Sequence, residues 1–294
     1  AVIGIYGLGL LTVAVASLPA LLPDPSESVM RGRASVAIGL VLVGAIGLAG
    51  WVRLSQADST TVPGVRLRVV QPAIPQTLKW APAEKARNFE RLLELTAEPP
   101  AAGAAPVTHV VWPETAVPFF VERDGGARQA MASVTPPGGS IITGAPRVRV
   151  EANGENRFWN SLHAVDGSGA VVASFDKFHL VPFGEYVPDR WFYELIVPDL
   201  VGLIQREYTP GSNPPLVQVG DVGVGLAICF DVIYDAVIWD GARAGAEVFV
   251  FQTNNADFRG TDENLQQLAF ARMRAIEAGG ALVDTYTSWK SPIF

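Results

Sequence analysis

Apolar and polar positions divide the chain into two unlike parts. Residues 1–22, AVIGIYGLGLLTVAVASLPALL, and residues 34–52, ASVAIGLVLVGAIGLAGWV, contain no charged side chain. A bilayer-crossing helix needs roughly 20 apolar residues, so each run predicts a transmembrane helix. The first run is not read as a signal peptide, because no basic stretch precedes it and a second run follows at once. From residue 65 the pattern changes to short apolar runs alternating with amphipathic ones. Val65–Ala73, His109–Trp112, Ser140–Gly144, Leu216–Val219, Val222–Cys229, Glu247–Gln252 and Ala281–Thr285 read as strands. Trp159–Val165 and Gly169–Phe175 read as a hairpin around Asp166–Gly167–Ser168. Pro82–Ala97 reads as a helix with Phe89, Leu92, Leu93 and Leu95 on its apolar side, and Asp262–Ala278 as another. Strands interleaved with helices predict a layered α/β domain.

Three regions follow: a transmembrane pair over 1–54, a polar linker over 55–64 (SQADSTTVPG), and a globular domain over 65–294. Arg31 and Arg33 lie in PDPSESVMRGR between the apolar runs. Basic residues in a short connection mark the cytoplasmic side, which sends everything after Arg53 out of the cytoplasm. The chain begins within an apolar run at Ala1, without Met, so further membrane spans are expected upstream.

Composition narrows the chemistry. Apolar residues make up 49% of 294, charged ones only 17%, and the mean hydropathy is +0.26, which fits a membrane-bound protein. A net charge of −7 with no basic run argues against nucleic acid as a partner. One cysteine excludes an internal disulfide and any multi-cysteine metal site. His109, His163 and His179 are widely spaced, without a metal-ligand pattern.

That one cysteine closes the run VGVGLAIC, and an amphipathic stretch, FDVIYDAVIWDGARAGA, follows directly. Cys229 is therefore expected where a strand turns into a helix. Helix N-terminal N–H groups favour a thiolate and can hold the oxyanion of a tetrahedral intermediate. A lone cysteine packs equally well as a small buried hydrophobe, and position alone does not separate the two. Two other apolar segments also end in polar groups. In VVWPET, Glu114 follows Trp112 and Pro113, where desolvation would suit it to be a base. In SFDKFHLVPFGEYVP, Lys177 and Glu185 stand in an apolar, aromatic setting. Taken singly, the first reads more readily as a surface loop acid and the second as a snorkelling lysine. Together a thiol, a carboxylate and an ammonium make a complete acyl-transfer set.

These segments resemble the carbon–nitrogen hydrolase (nitrilase) superfamily, whose triad runs Glu, Lys, Cys along the chain, and within it the apolipoprotein N-acyltransferases. The resemblance rests on VVQPAIPQTLKW (Val69–Trp80), WPETAVP (Trp112–Pro118), WNSLHAV (Trp159–Val165), FDKFHLVPFGEYVP (Phe175–Pro188), AICFD (Ala227–Asp231) and QQLAFARMRAIEAG (Gln266–Gly279). The long lysine block is the most specific of them. The resemblance covers about residues 65–285, and the two apolar runs suit the acyltransferases better than soluble amidases.

The resemblance implies a nitrilase-like α-β-β-α sandwich after the transmembrane helices, in a bacterial inner membrane with the catalytic domain on its outer side. It implies Cys229 as nucleophile, Glu114 as proton acceptor, and Lys177 with the Phe230 backbone N–H as oxyanion partners. Glu185 would support Lys177, Asn160 would stand near the site, and Trp80 near a lipid entrance. His179 reads as structural. The implied donor is a membrane phospholipid, the acceptor a diacylglyceryl apolipoprotein, and no cofactor or metal is required. Asp257 departs from the usual tryptophan of its loop, Asp231 from a usual glutamate, and TSWKSPIF (Thr287–Phe294) from the family's C-terminal continuation, so a fragment truncated at both ends is expected. A membrane-tethered amidase or nitrilase with the same triad, and a non-catalytic extracytoplasmic binding domain, are the alternative readings.

Overall fold

The computed structural model describes residues 4–22, 29–56, 61–204, 207–212, 216–256 and 261–287. Asp257 and the stretch 288–294 lie outside them. The chain falls into two units, Ala1–Thr61 and Val62–Phe294.

In the first unit, α1 (Gly4–Ser17) runs into a short 3₁₀ turn, Leu18–Leu21, and α2 spans Val29–Ser55. Both helical stretches are long and apolar enough to cross a membrane. At 27 residues α2 is about 40 Å long, more than a hydrocarbon core requires. The extra length absorbs Arg31 and Arg33. The sequence pattern puts them in the connection, but they lie exposed in the first turns of α2. A helix continues through a sequence like VMRGRAS because nothing in it breaks the hydrogen-bond ladder. The two helices approach closely at Gly39, where a Cβ would lie 3.1 Å from Val15 Cγ1 of α1 and 2.6 Å from Leu18 Cδ1 of the 3₁₀ turn.

The second unit is a four-layer α-β-β-α sandwich, as the resemblance implied. One sheet has the order β1-β2-β3-β4-β5, formed by Leu67–Val69, His109–Val111, Ser140–Val150, Asn156–Asp166 and Val171–Asp176. The other has the order β6-β7-β8-β9, formed by Leu216–Val219, Val222–Ile228, Val248–Thr253 and Ala281–Tyr286. Helices α4 (Lys85–Ala97) and α5 (Gly125–Val134) pack on the first sheet. Helices α8 (Asp235–Arg243) and α9 (Glu263–Ala278) pack on the second. The remaining helices are short: α3 (Gln76–Lys79), α6 (Arg190–Ile196) and α7 (Pro198–Leu203).

The period of two within a strand sorts side chains between layers. On β2, Val110 faces the helices beside Leu92 and Met131, while Val111 faces the other sheet beside Leu226 and Val250. On β8, Val248 and Val250 pack between the sheets, and Phe249 and Phe251 pack against α9. Sequence boundaries shift by up to three residues at several elements and by more in two places. The first strand stops at Val69, short of Ala73, because Pro72 cannot donate to a ladder and Ala73 takes a left-handed φ of 56°. The strand at Ser140 runs on to Val150, paired residue by residue with β4.

Candidate active site

Three strands of the sandwich deliver the three candidate groups, two of them through turns with a left-handed residue, Thr115 and Cys229. Past β2, Trp112–Thr115 turns sharply, with Thr115 at φ 42°. The turn lies against Gly144 of β3. A Cβ on Gly144 would lie 2.4 Å from Thr115 N and 2.7 Å from Glu114 Cα, so only glycine fits there. Glu114, 6% exposed, accepts two hydrogen bonds: Oε1 from Asn160 Nδ2 at 2.7 Å, and Oε2 from the Asn254 backbone N–H at 2.6 Å.

Lys177 follows β5. Asp176, just before it, is fixed by an ion pair with Arg147 and by the Ser161 hydroxyl at 2.6 Å. The Lys177 backbone donates to Asn160 O at 2.9 Å. Its side chain is 1% exposed and donates to Glu185 Oε2 at 2.8 Å. Glu185 also accepts from the Val181 backbone N–H (2.9 Å) and from Asn160 Nδ2 (2.8 Å). The Asn160 amide thus gives one hydrogen to each glutamate and joins the two carboxylates.

Cys229 follows β7 with φ 54° and opens a five-residue 3₁₀ turn, Cys229–Ile233. Here the structure corrects the expectation of an amphipathic helix starting at the cysteine. The left-handed step at Cys229 breaks the α register, and α8 begins only at Asp235. Asp231, fully buried, holds the turn. Its Oδ2 accepts from Ile228 N (3.2 Å), and its Oδ1 from His179 N (3.1 Å). Asp231 Oδ1 also pairs with His179 Nδ1 at 3.1 Å, and the His179 ring stacks on Tyr234 at 3.7 Å between centroids. The aspartate that replaces the usual glutamate therefore ties the lysine block to the nucleophile turn. From below, Arg274 of α9 donates to the Val232 and Ile233 carbonyls at 2.9 and 3.2 Å.

The three groups feel one another's charge. Burial alone would push the Lys177 ammonium down, but Cys229, Glu114 and Glu185 outweigh it and hold the ammonium above its ordinary range. Burial pushes the Cys229 thiol well up, and the Glu114 charge adds to this. Lys177 and the Phe230 N–H act in the opposite sense without reversing it. The expected easily ionised thiol is thereby corrected. Enclosure costs the thiolate more than the start of a short turn returns, so the resting thiol keeps its proton and needs a base beside it.

Trp80, directly after α3, is 43% exposed. Phe230 is half-buried and lines a cavity of about 460 Å³ with Val232, Ile233, Gln267 and Phe270, among others. Reading the sequence assigned no role to Lys79, Gln76 or Asn254, which all touch the Glu114 turn or its partners. The signal was a lysine beside a tryptophan after a proline-bounded stretch, and it does not reveal burial.

An α-β-β-α sandwich that gathers a glutamate, a lysine and a cysteine from three strand ends defines the carbon–nitrogen hydrolase class of fold and site. The chain belongs to the carbon–nitrogen hydrolase family, whose profile matches residues 66–283. It is 34% identical to the apolipoprotein N-acyltransferase of Rhodopseudomonas palustris over 96% of this chain and 54% of the relative. It is likewise 34% identical to the apolipoprotein N-acyltransferase of Brucella melitensis over 97% of this chain and 56% of that protein. The chain thus spans about half the length of the curated relatives it matches. Among solved structures, an amidase from Nesterenkonia sp. shares the fold at a TM-score of 0.51, with 17% identity over 79% of this chain and 80% of the amidase. Saccharomyces cerevisiae Nit3 shares it at a TM-score of 0.50, with 15% identity over 76% and 75%.

Proposed function

We propose that this chain carries the catalytic part of an apolipoprotein N-acyltransferase, acting at the outer face of a bacterial inner membrane. Glu114 takes the Cys229 proton as the sulfur attacks the ester carbonyl of a membrane phospholipid. Lys177 and the Phe230 N–H stabilise the resulting oxyanion. The tetrahedral adduct collapses to a thioester, and the departing lysophospholipid alkoxide takes the proton from Glu114. The neutral α-amine of a diacylglyceryl-cysteine then attacks the thioester and gives a proton to Glu114. The amide forms, the thiolate leaves, and the proton returns to sulfur. Glu185 and Asn160 hold Lys177 and Glu114 in place throughout, and Trp80 sits where acyl chains would arrive.

The observation that carries this reading is geometric: at three strand ends stand a buried glutamate held by Asn160 and the Asn254 N–H, a buried lysine bonded to Glu185, and a cysteine within reach of both their charges. It stands in a chain 34% identical to proteins named for this activity. The test supplies the intact protein with phospholipid and a diacylated lipopeptide and follows products by mass spectrometry. A triacylated peptide that disappears with Cys229→Ala supports the proposal. Free fatty acid without peptide acylation would show water as the acyl acceptor and favour a membrane-tethered hydrolase with the same triad. No acyl product of either kind would favour a binding domain.

A further inference from the structure

A second lysine is buried at the site. Lys79 ends the four-residue helix α3 and is 2% exposed. Its ammonium donates to the Glu114 backbone carbonyl at 3.2 Å and makes a short bond to the Thr115 hydroxyl. Thr115 is the residue held at φ 42°, a conformation that persists only where its surroundings enforce it. The other end of α3 reaches the same glutamate: Gln76 Oε1 accepts from Asn254 Nδ2 at 3.1 Å, and Asn254 N donates to Glu114 Oε2. Helix α3 is itself held by Asn88 of α4, whose amide donates to Leu78 O at 3.2 Å. On the solvent side, the Trp80 ring lies 5.8 Å from the Lys79 ammonium.

We propose that Lys79 is a positioning residue for Glu114: its ammonium clamps the strained Glu114–Thr115 turn and fixes the carboxylate against the thiol, with Trp80 on its outer side. This rests on the reading of Glu114 as the base. A buried ammonium stays in place only when hydrogen-bonded. The two bonds described go to the backbone and hydroxyl of the turn, so its removal loosens the turn without deleting a reacting side chain.

The test is alkylation of Cys229 by iodoacetamide at neutral pH, followed by intact mass on the full protein in detergent, without any acyl donor. A misplacement of about 1 Å costs on the order of 100-fold, so Lys79→Met should slow alkylation by about that factor. Lys79→Arg keeps the charge in a different geometry and should slow it by less. Glu114→Gln should slow it at least as much as Lys79→Met. Combining Lys79→Met with Glu114→Gln should slow it no further than Glu114→Gln alone, because both changes remove one function. Lys79→Met alkylating at the wild-type rate while Glu114→Gln is slow, or fully additive slowing in the pair, overturns the proposal. Glu114→Gln alkylating as fast as wild type would overturn both this proposal and the base assignment beneath it. If Lys79→Met does not fold, the same cycle with Lys79→Arg decides by the same criterion.

Discussion

Replacing Lys177 by methionine removes the one ammonium bonded to Glu185, in a site that holds two hydrogen-bonded carboxylates. At 2.8 Å and an effective dielectric of about 20, the attraction between Lys177 and Glu185 is about 6 kcal/mol. Desolvation of the 1%-exposed ammonium offsets part of that. What remains after the change is worse than neutral, since Glu114 and Glu185 stay joined through Asn160 with no cation between them. Breaking a buried pair by removing one partner costs about 3–5 kcal/mol. For a unit of this size that is a fall in Tm of about 10 °C. Adding Glu185→Gln leaves a side-chain oxygen at position 185 to accept from Val181 N and removes the stranded charge, so most of the lost Tm should return. Activity should not return, because the proposed oxyanion partner is still missing, a loss of about 100- to 1000-fold. Differential scanning calorimetry of the intact protein, beside the acylation assay, separates the two effects. A single variant that melts with wild type, or a double variant as unstable as the single, would refute the electrostatic account of the site.

Gly144→Ala should cost about 1–3 kcal/mol and about 100-fold in acylation, because its Cβ would meet only backbone of the Glu114 turn; chemical denaturation and the acylation assay check both. Asp284 is fully buried beside Thr253 and Tyr286, and burial pushes its carboxyl up to about 7. Its folded-state value exceeds the unfolded one, so its contribution is present below about pH 4 and is lost as pH rises toward 7. Asp284→Asn should therefore flatten the Tm–pH curve over that range and raise Tm above it. Burial likewise raises the Cys229 thiol, so wild type should lose stability above about pH 9, as the unfolded thiol ionises first, and Cys229→Ala should lose less there.

The fold was largely legible because its elements obey simple periods. The runs that ended at Glu114 and Cys229 are strands packed on both faces, and such a strand reads as an apolar segment that stops at the first polar group; the run before Lys177 is an edge strand, buried only at Phe175 and Asp176. The Asp166–Gly167–Ser168 turn announced the β4–β5 hairpin through its residue types. Helix α5, by contrast, opens with Gly125–Gly126, poor helix formers, and exists because Asp124 caps Ala127 N at 2.9 Å and Met131 is buried beneath it. The 3₁₀ turn at Cys229 was hidden for a related reason. The turn is held by Asp231 within it and by His179 and Arg274 from segments distant in sequence. The thiol's raised value was equally out of reach, since it depends on enclosure by side chains that only the folded chain assembles. Lys79 carried no local mark of its burial, because burial is a tertiary fact that local pattern does not carry.

The most direct measurement is the intact mass of the full protein after brief exposure to phospholipid without acceptor. The account predicts an added acyl mass on Cys229 that hydroxylamine removes and that a diacylated lipopeptide discharges as amide. It also predicts that the adduct is absent in Cys229→Ala and strongly slowed in Glu114→Gln. An adduct that survives hydroxylamine, or that forms equally well without Cys229, would contradict it.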